Sequence, residues 1–265
     1  MVISTEKKSV RIKRGQTNLI VHYNGRELVY LYPQVRSDFY TEVGRNILKQ
    51  GLSVPTGDYT SPLLHTAYCN KEVKNEPEFV NIRELVRKNN LWVFNINLWT
   101  DKGVYVFQDL KSKGFRRGIN LNKRRELNLN KLEKMLKGGK DFNGIRFSED
   151  GRVRFAPKEL YLLGDHTPET LAKDGFMIVS CGKDGAEQIG EVSSKFRYDP
   201  ITLGADIQEE GQNPYSPRVH IGVSVIDVTF GNRRFRFNGD YEGGVVSVGT
   251  EPVFGGGYYA FGVRS

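Results

Sequence analysis

Apolar residues recur along this chain at every second position in some stretches and at every third or fourth in others, so strands and helices are both expected. Asn18 to Tyr23 and Glu27 to Tyr32 flank Asn24-Gly25-Arg26, and the Asn-Gly pair predicts a tight hairpin. The run Leu91 to Trp99 alternates, with Trp92, Phe94, Ile96 and Leu98 on one face and Asn95 and Asn97 on the other. The turn Thr100-Asp101-Lys102-Gly103 then joins it to the strand Val104 to Phe107. A third hairpin is predicted around Ser148 to Gly151, pairing Ile145-Arg146-Phe147 with Arg152 to Phe155 and offering arginines on its exposed face.

Helical spacing appears elsewhere. Ser37 can cap a helix carrying Phe39, Val43 and Ile47 that stops before Gly51. A second helix is expected to start near Thr60 with Pro62 in its first turn, and a third at Pro77 with Phe79, Ile82 and Val86 on one face. Leu129, Leu132, Met135 and Leu136 predict a short helix ending at Gly138-Gly139, which turns Lys131, Lys134 and Lys137 outward. Thr167-Pro168 opens another short helix, and Ala186, Ile189, Val192 and Phe196 mark a longer one. Between these two, Phe176 to Ser180 reads as an apolar strand. From Arg218 onward, β-branched segments separated by glycines read as a sheet, and no repeat of fixed period occurs.

The fold class expected is α+β: antiparallel hairpins and a small Gly-rich C-terminal sheet, with several short helices packed on one side. Residues 1–110 and 129–265 would form two lobes joined by a basic connector, 111–128, or the whole chain one continuous domain. A doubly wound parallel sheet is disfavoured, because strands and helices do not alternate regularly.

With 265 residues, 38% of them apolar, the chain can bury a large core, which excludes disorder throughout. Cys69 and Cys181 are too few for a disulfide framework, and no Asn-x-Ser/Thr sequon is present. No apolar core follows the early charges, and no stretch approaches the roughly 18 apolar residues of a membrane span. These features point to a cytoplasmic protein without a cleaved signal and without a membrane partner.

Charge changes the picture most. Residues 111–140 hold eleven Lys or Arg against Glu126 and Glu133, a local charge of +9, whereas the whole chain carries only +8. The preceding part is mildly basic, the following part mildly acidic, and a weaker cluster runs from Lys7 to Arg14. Such concentration points to a polyanionic partner, above all the phosphate backbone of RNA or DNA. The expected contacts are Lys111, Lys113, Arg116, Arg117, Lys123, Arg124, Arg125, Lys131, Lys134 and Lys137. Guanidinium groups mixed with glycine and asparagine, and with one aromatic, Phe115, suit phosphates better than base stacking. A bilayer is a poorer partner, because no large apolar face accompanies the charges.

Two other functional classes stay open. An enzyme would use Ser180-Cys181-Gly182-Lys183-Asp184-Gly185, read as a strand-loop-helix turn in which Gly182, Lys183 and Gly185 receive an anion from a phosphorylated or acyl substrate. The turn lacks the Walker glycine spacing, and Asp184 would repel phosphate. At a helix start Cys181 would favour its thiolate, with His22, His65, His166 and His220 as the available bases and His166 the nearest in sequence. No catalytic residue is assigned. The third class is an assembly subunit whose basic band meets an acidic protein surface. No cofactor is expected and no metal site is assigned: no two histidines stand three or four apart, Cys-x-x-Cys is absent, and neither cysteine is expected to have a partner at ligand spacing. Asp206, Glu209 and Glu210 read as a solvated loop, and the aromatic residues of the strands as core packing.

Overall fold

The computed structural model describes residues 4–7, 10–13, 18–37, 40–112, 129–195, 201–205, 220–226, 234–236, 240–242, 244–249 and 258–264. The first half contains β1 (Ser4–Lys7), β2 (Val10–Lys13), β3 (Asn18–Tyr23), β4 (Arg26–Leu31) and β5 (Val35–Arg36), then α1 (Tyr40–Lys49), α2 (Gly57–Cys69) and α3 (Pro77–Lys88), then β6 (Asn90–Thr100) and β7 (Gly103–Gln108). There follow α4 (Leu129–Leu136), β8 (Lys140–Phe142), β9 (Ile145–Phe147), β10 (Val153–Pro157), β11 (Gly164–His166), α5 (Pro168–Lys173), α6 (Gly175–Cys181) and α7 (Lys183–Ser193). The last strands are β12 (Ile201–Ala205), β13 (His220–Ile226), β14 (Arg234–Arg236), β15 (Asp240–Glu242), β16 (Gly244–Gly249), β17 (Tyr258–Ala260) and β18 (Val263–Arg264). The class is α+β.

Strands β1 to β4 form a meander that β18 extends, and Asn24 and Gly25 make the β3–β4 turn with positive φ at both positions. The larger sheet runs β11-β12-β16-β13-β6-β7-β10-β9-β8, with β17 also pairing with β6 and β5 pairing with β17. Most of its pairs are antiparallel; β12–β16 and β17–β6 are parallel. Residues on both sides of 111–128 build this sheet, since β6 and β7 pair with β13 and β10. The C-terminal strands β12, β13, β16 and β17 therefore belong to the large sheet, beyond the separate small one expected.

Strand β6 lies at the centre of the packing and is buried on both faces. Leu91, Val93 and Trp99 pack in one cluster with Leu63, Leu64, Phe79, Ile82, Phe176 and Ile189 from α2, α3, α6 and α7. Trp92 and Phe94 pack against Tyr40, Val43 and Ile47 of α1 and Tyr258 of β17. Leu98 meets Tyr105, Phe155 and α4. Helices thus cover both faces of the sheet, a correction to the one-sided packing expected. The alternation of β6 misleads because Asn95 and Asn97, which look like a solvent face, are 1% and 0% exposed. Asn95 is accommodated by donating its Nδ2 hydrogen to the Ser180 carbonyl at 2.7 Å.

The helix at Pro77 forms as the spacing predicts, with Phe79, Ile82 and Val86 fully buried. Helix α2 begins earlier than expected, at Gly57 after Thr56, so Pro62 lies inside it. Phe176 to Ser180 is helical rather than extended. Asp174 caps α6 by accepting from the Phe176 and Met177 N–H groups, and a short apolar run with a cap before it is as good a helix as a strand. Among the described residues no helix is long and apolar enough to cross a membrane.

Candidate functional site

Beyond Lys111, the described part of the basic band lies on helix α4, with Lys131 and Lys134, in the turn after it, with Lys137, and at the start of β8, with Lys140. Leu132 and Leu136, four residues apart, are buried against Leu98, Tyr105, Val153 and Phe155 on the outer face of β6, β7 and β10. Glu133 accepts two hydrogen bonds from Arg146, at 2.8 and 3.0 Å, and a third from the Tyr105 hydroxyl. Arg146 in turn lies over the Phe155 ring, 4.6 Å from its centroid. The Arg146 hydrogen bonds hold the Glu133 carboxyl below its usual range, while burial and then Glu133 itself push the Tyr105 hydroxyl up. The only acid of α4 is therefore spent on anchoring the helix.

At about 100° per residue, Lys134 falls opposite the Leu132 and Leu136 pair, and Lys131 and Lys137 lie to either side of it. All three are exposed, and none forms an ion pair with another described residue. Lys111 and Lys140 are exposed as well. Leu129 and Met135, expected in the buried stripe, are 39% and 37% exposed, so the apolar contact is narrower than the spacing predicts. Lys113, Arg116, Arg117, Lys123, Arg124 and Arg125 lie outside the described residues.

The arginines of the β9–β10 hairpin are not the free exposed row expected. Arg146 serves Glu133, and Arg154, 7% exposed, forms a 2.6 Å ion pair with Asp58 on α2. Arg154 also donates to the carbonyls of Gly151 and Val179, and Gln108 donates to the same Asp58 carboxylate. Of the three, only Arg152 is exposed, 3.6 Å from Asp150.

The second candidate, Ser180 to Gly185, links two helices. Gly182 has φ +74° and ends α6, and a Cβ there would meet an Asp58 carboxylate oxygen at 2.6 Å. Gly185 is buried against Ser61 and Cys181, the Lys183 amine lies 5.0 Å above the Phe142 ring, and Asn24 donates to Asp184. Two carboxylates beside the turn oppose an anion. Cys181 is buried, and desolvation pushes its thiol up to about 12, the reverse of the thiolate expected at a helix start. Its expected base is engaged elsewhere: His166 Nε2 lies 2.8 Å from the Leu162 carbonyl and 4.0 Å from Asp174.

Mixed ligand types form a group that paired histidines or paired cysteines do not. His65 and Cys69 stand four apart on α2, so Cys69 does have a neighbour at ligand spacing, and α7 brings Glu191 to the same place.

No family model matches the chain, and no curated protein matches it. It is similar to a solved structure described as "Accommodation of massive sequence variation in Nanoarchaeota by the C-type lectin fold", with 10% identity, a TM-score of 0.42, and coverage of 87% of this chain and 96% of that one.

Proposed function

We propose that this protein binds RNA or DNA without being an enzyme, contacting phosphates through the basic band 111–140. The observation that carries the reading is the way α4 is docked. Leu132, Leu136 and Glu133 face the sheet, leaving Lys131, Lys134 and Lys137 exposed and unneutralised by described partners. Three cations on α4 and the turn after it form a contact for a phosphate backbone, and they carry no base-reading geometry. The reading places the protein in the cytoplasm, where Cys69 and Cys181 stay free.

Fluorescence anisotropy with labelled single- and double-stranded oligonucleotides of unrelated sequence tests it. The expected result is binding at low salt with nearly equal affinity across sequences, competed by heparin. Binding that is absent at low salt overturns the reading. A salt-sensitive oligomer formed without nucleic acid would point instead to an acidic protein surface as the partner.

A further inference from the structure

We infer that His65, Cys69 and Glu191 form a binding site for a divalent transition metal of the zinc type, at the junction of α2 and α7 and independent of the basic band. Each offers one ligand atom, and the three atoms lie within 4.8 Å of one another. His65 Nε2 and a Glu191 carboxylate oxygen are already 2.7 Å apart. Around a tetrahedral zinc, with bonds of about 2.0 to 2.3 Å, ligand atoms stand roughly 3.3 to 3.7 Å apart. The arrangement therefore needs side-chain adjustments of about 1 Å, a distance on the scale of rotations about the χ angles of Glu191 and Cys69.

The backbone beneath is well fixed. Helices α2 and α7 pack closely, with Gly185 against Ser61 and with Leu63, Leu64 and Ala67 in the same buried cluster as Ala186, Ile189 and Val192. Two ligands come from the last turn and a half of α2, on the side that faces α7. The donor set of imidazole nitrogen, thiolate sulfur and carboxylate oxygen suits zinc or cobalt and is poorly matched to calcium or magnesium. A fourth position faces solvent, because Glu191 is exposed and the other two are half-buried.

Burial and then the Glu191 carboxylate push the Cys69 thiol up to about 11, with Lys195 and Lys74 acting the other way. A divalent ion reverses that balance: the thiol proton leaves to solvent, the sulfur lone pair binds the metal, and the ion neutralises thiolate and carboxylate together. Affinity should accordingly rise with pH as the Cys69 proton is displaced, with Glu191, Lys74 and Lys195 as the charged groups acting on that thiol.

The test is titration of the chelator-treated full chain with cobalt(II), read by the near-ultraviolet thiolate-to-metal band and the visible bands of a tetrahedral site. One equivalent should bind, zinc should displace it, and the thermal midpoint should rise with zinc. Cys69→Ser should abolish the thiolate band, and His65→Ala or Glu191→Gln should weaken cobalt binding by at least about tenfold. Circular dichroism of each variant separates loss of the site from loss of the fold, since all three side chains lie at or near the surface. Absence of a thiolate band in the wild type, or a band that survives Cys69→Ser, overturns the assignment. Neither result bears on the nucleic-acid reading.

Discussion

At the scale of single residues, buried polar groups distinguish anchoring from function. Arg154 is almost fully buried and donates to Asp58 and to two carbonyls, so its removal leaves the Asp58 carboxylate with the neutral Gln108 amide in place of a countercharge. Arg154→Ala should destabilise the protein by about 3 kcal/mol in urea unfolding, because breaking a largely buried pair leaves an uncompensated charge. Cys181 behaves differently. Its folded-state thiol is raised, so the contribution of the neutral thiol is fully present below the unfolded value near 9 and is lost as pH climbs toward about 12. Stability should fall above pH 9 in the wild type, and Cys181→Ala should remove part of that fall while ionisation of Cys69 and of the tyrosines supplies the rest. A thiol probe at neutral pH should leave Cys181 unmodified until denaturant is added. None of this is readable from sequence, because a cysteine at a helix start and a cysteine buried between helices look identical until packing is known.

At the scale of elements, α4 is held by two leucines and one ion pair, and these contacts decide which way its lysines face. Leu132→Ala or Leu136→Ala should cost about 2–4 kcal/mol. Replacing Lys131, Lys134 and Lys137 together by Gln should change stability by less than about 1 kcal/mol, since all three are exposed. Chemical denaturation of the variants checks both. The elements also show what local pattern conveys. Pro77 to Lys88, the Asn24-Gly25 hairpin and the Thr167 cap are legible because each carries its own local signal: an apolar stripe, a turn dipeptide, a capping hydroxyl. The run Phe176 to Ser180 reads wrongly as a strand, because four consecutive apolar residues lack a period and the deciding signal, the Asp174 carboxylate capping α6, stands outside the run. The spacing of His65 and Cys69 is visible in the sequence by itself, whereas Glu191 is more than a hundred residues away and reaches them only through the packing of α7 on α2.

At the scale of the whole molecule, the long central strand β6 makes one sheet of the residues before and after the basic band, and helices close over both faces. Charge is then distributed on a scaffold whose arginines in β9 and β10 are largely committed to ion pairs, while the lysines of α4 are not. The charge imbalance is plain in the sequence, but its division into anchoring and free cations depends on packing between distant elements. The central claim, that the free cations bind phosphate, predicts a slope of log affinity against log salt that reflects the number of phosphates neutralised. The most direct measurement is that slope for the wild type and for the Lys131, Lys134 and Lys137→Gln variant on the same labelled oligonucleotide. The account predicts that the variant's slope is shallower by about one unit for each phosphate it no longer neutralises, with sequence preference unchanged. An identical slope in both proteins would contradict it and remove α4 from the interface.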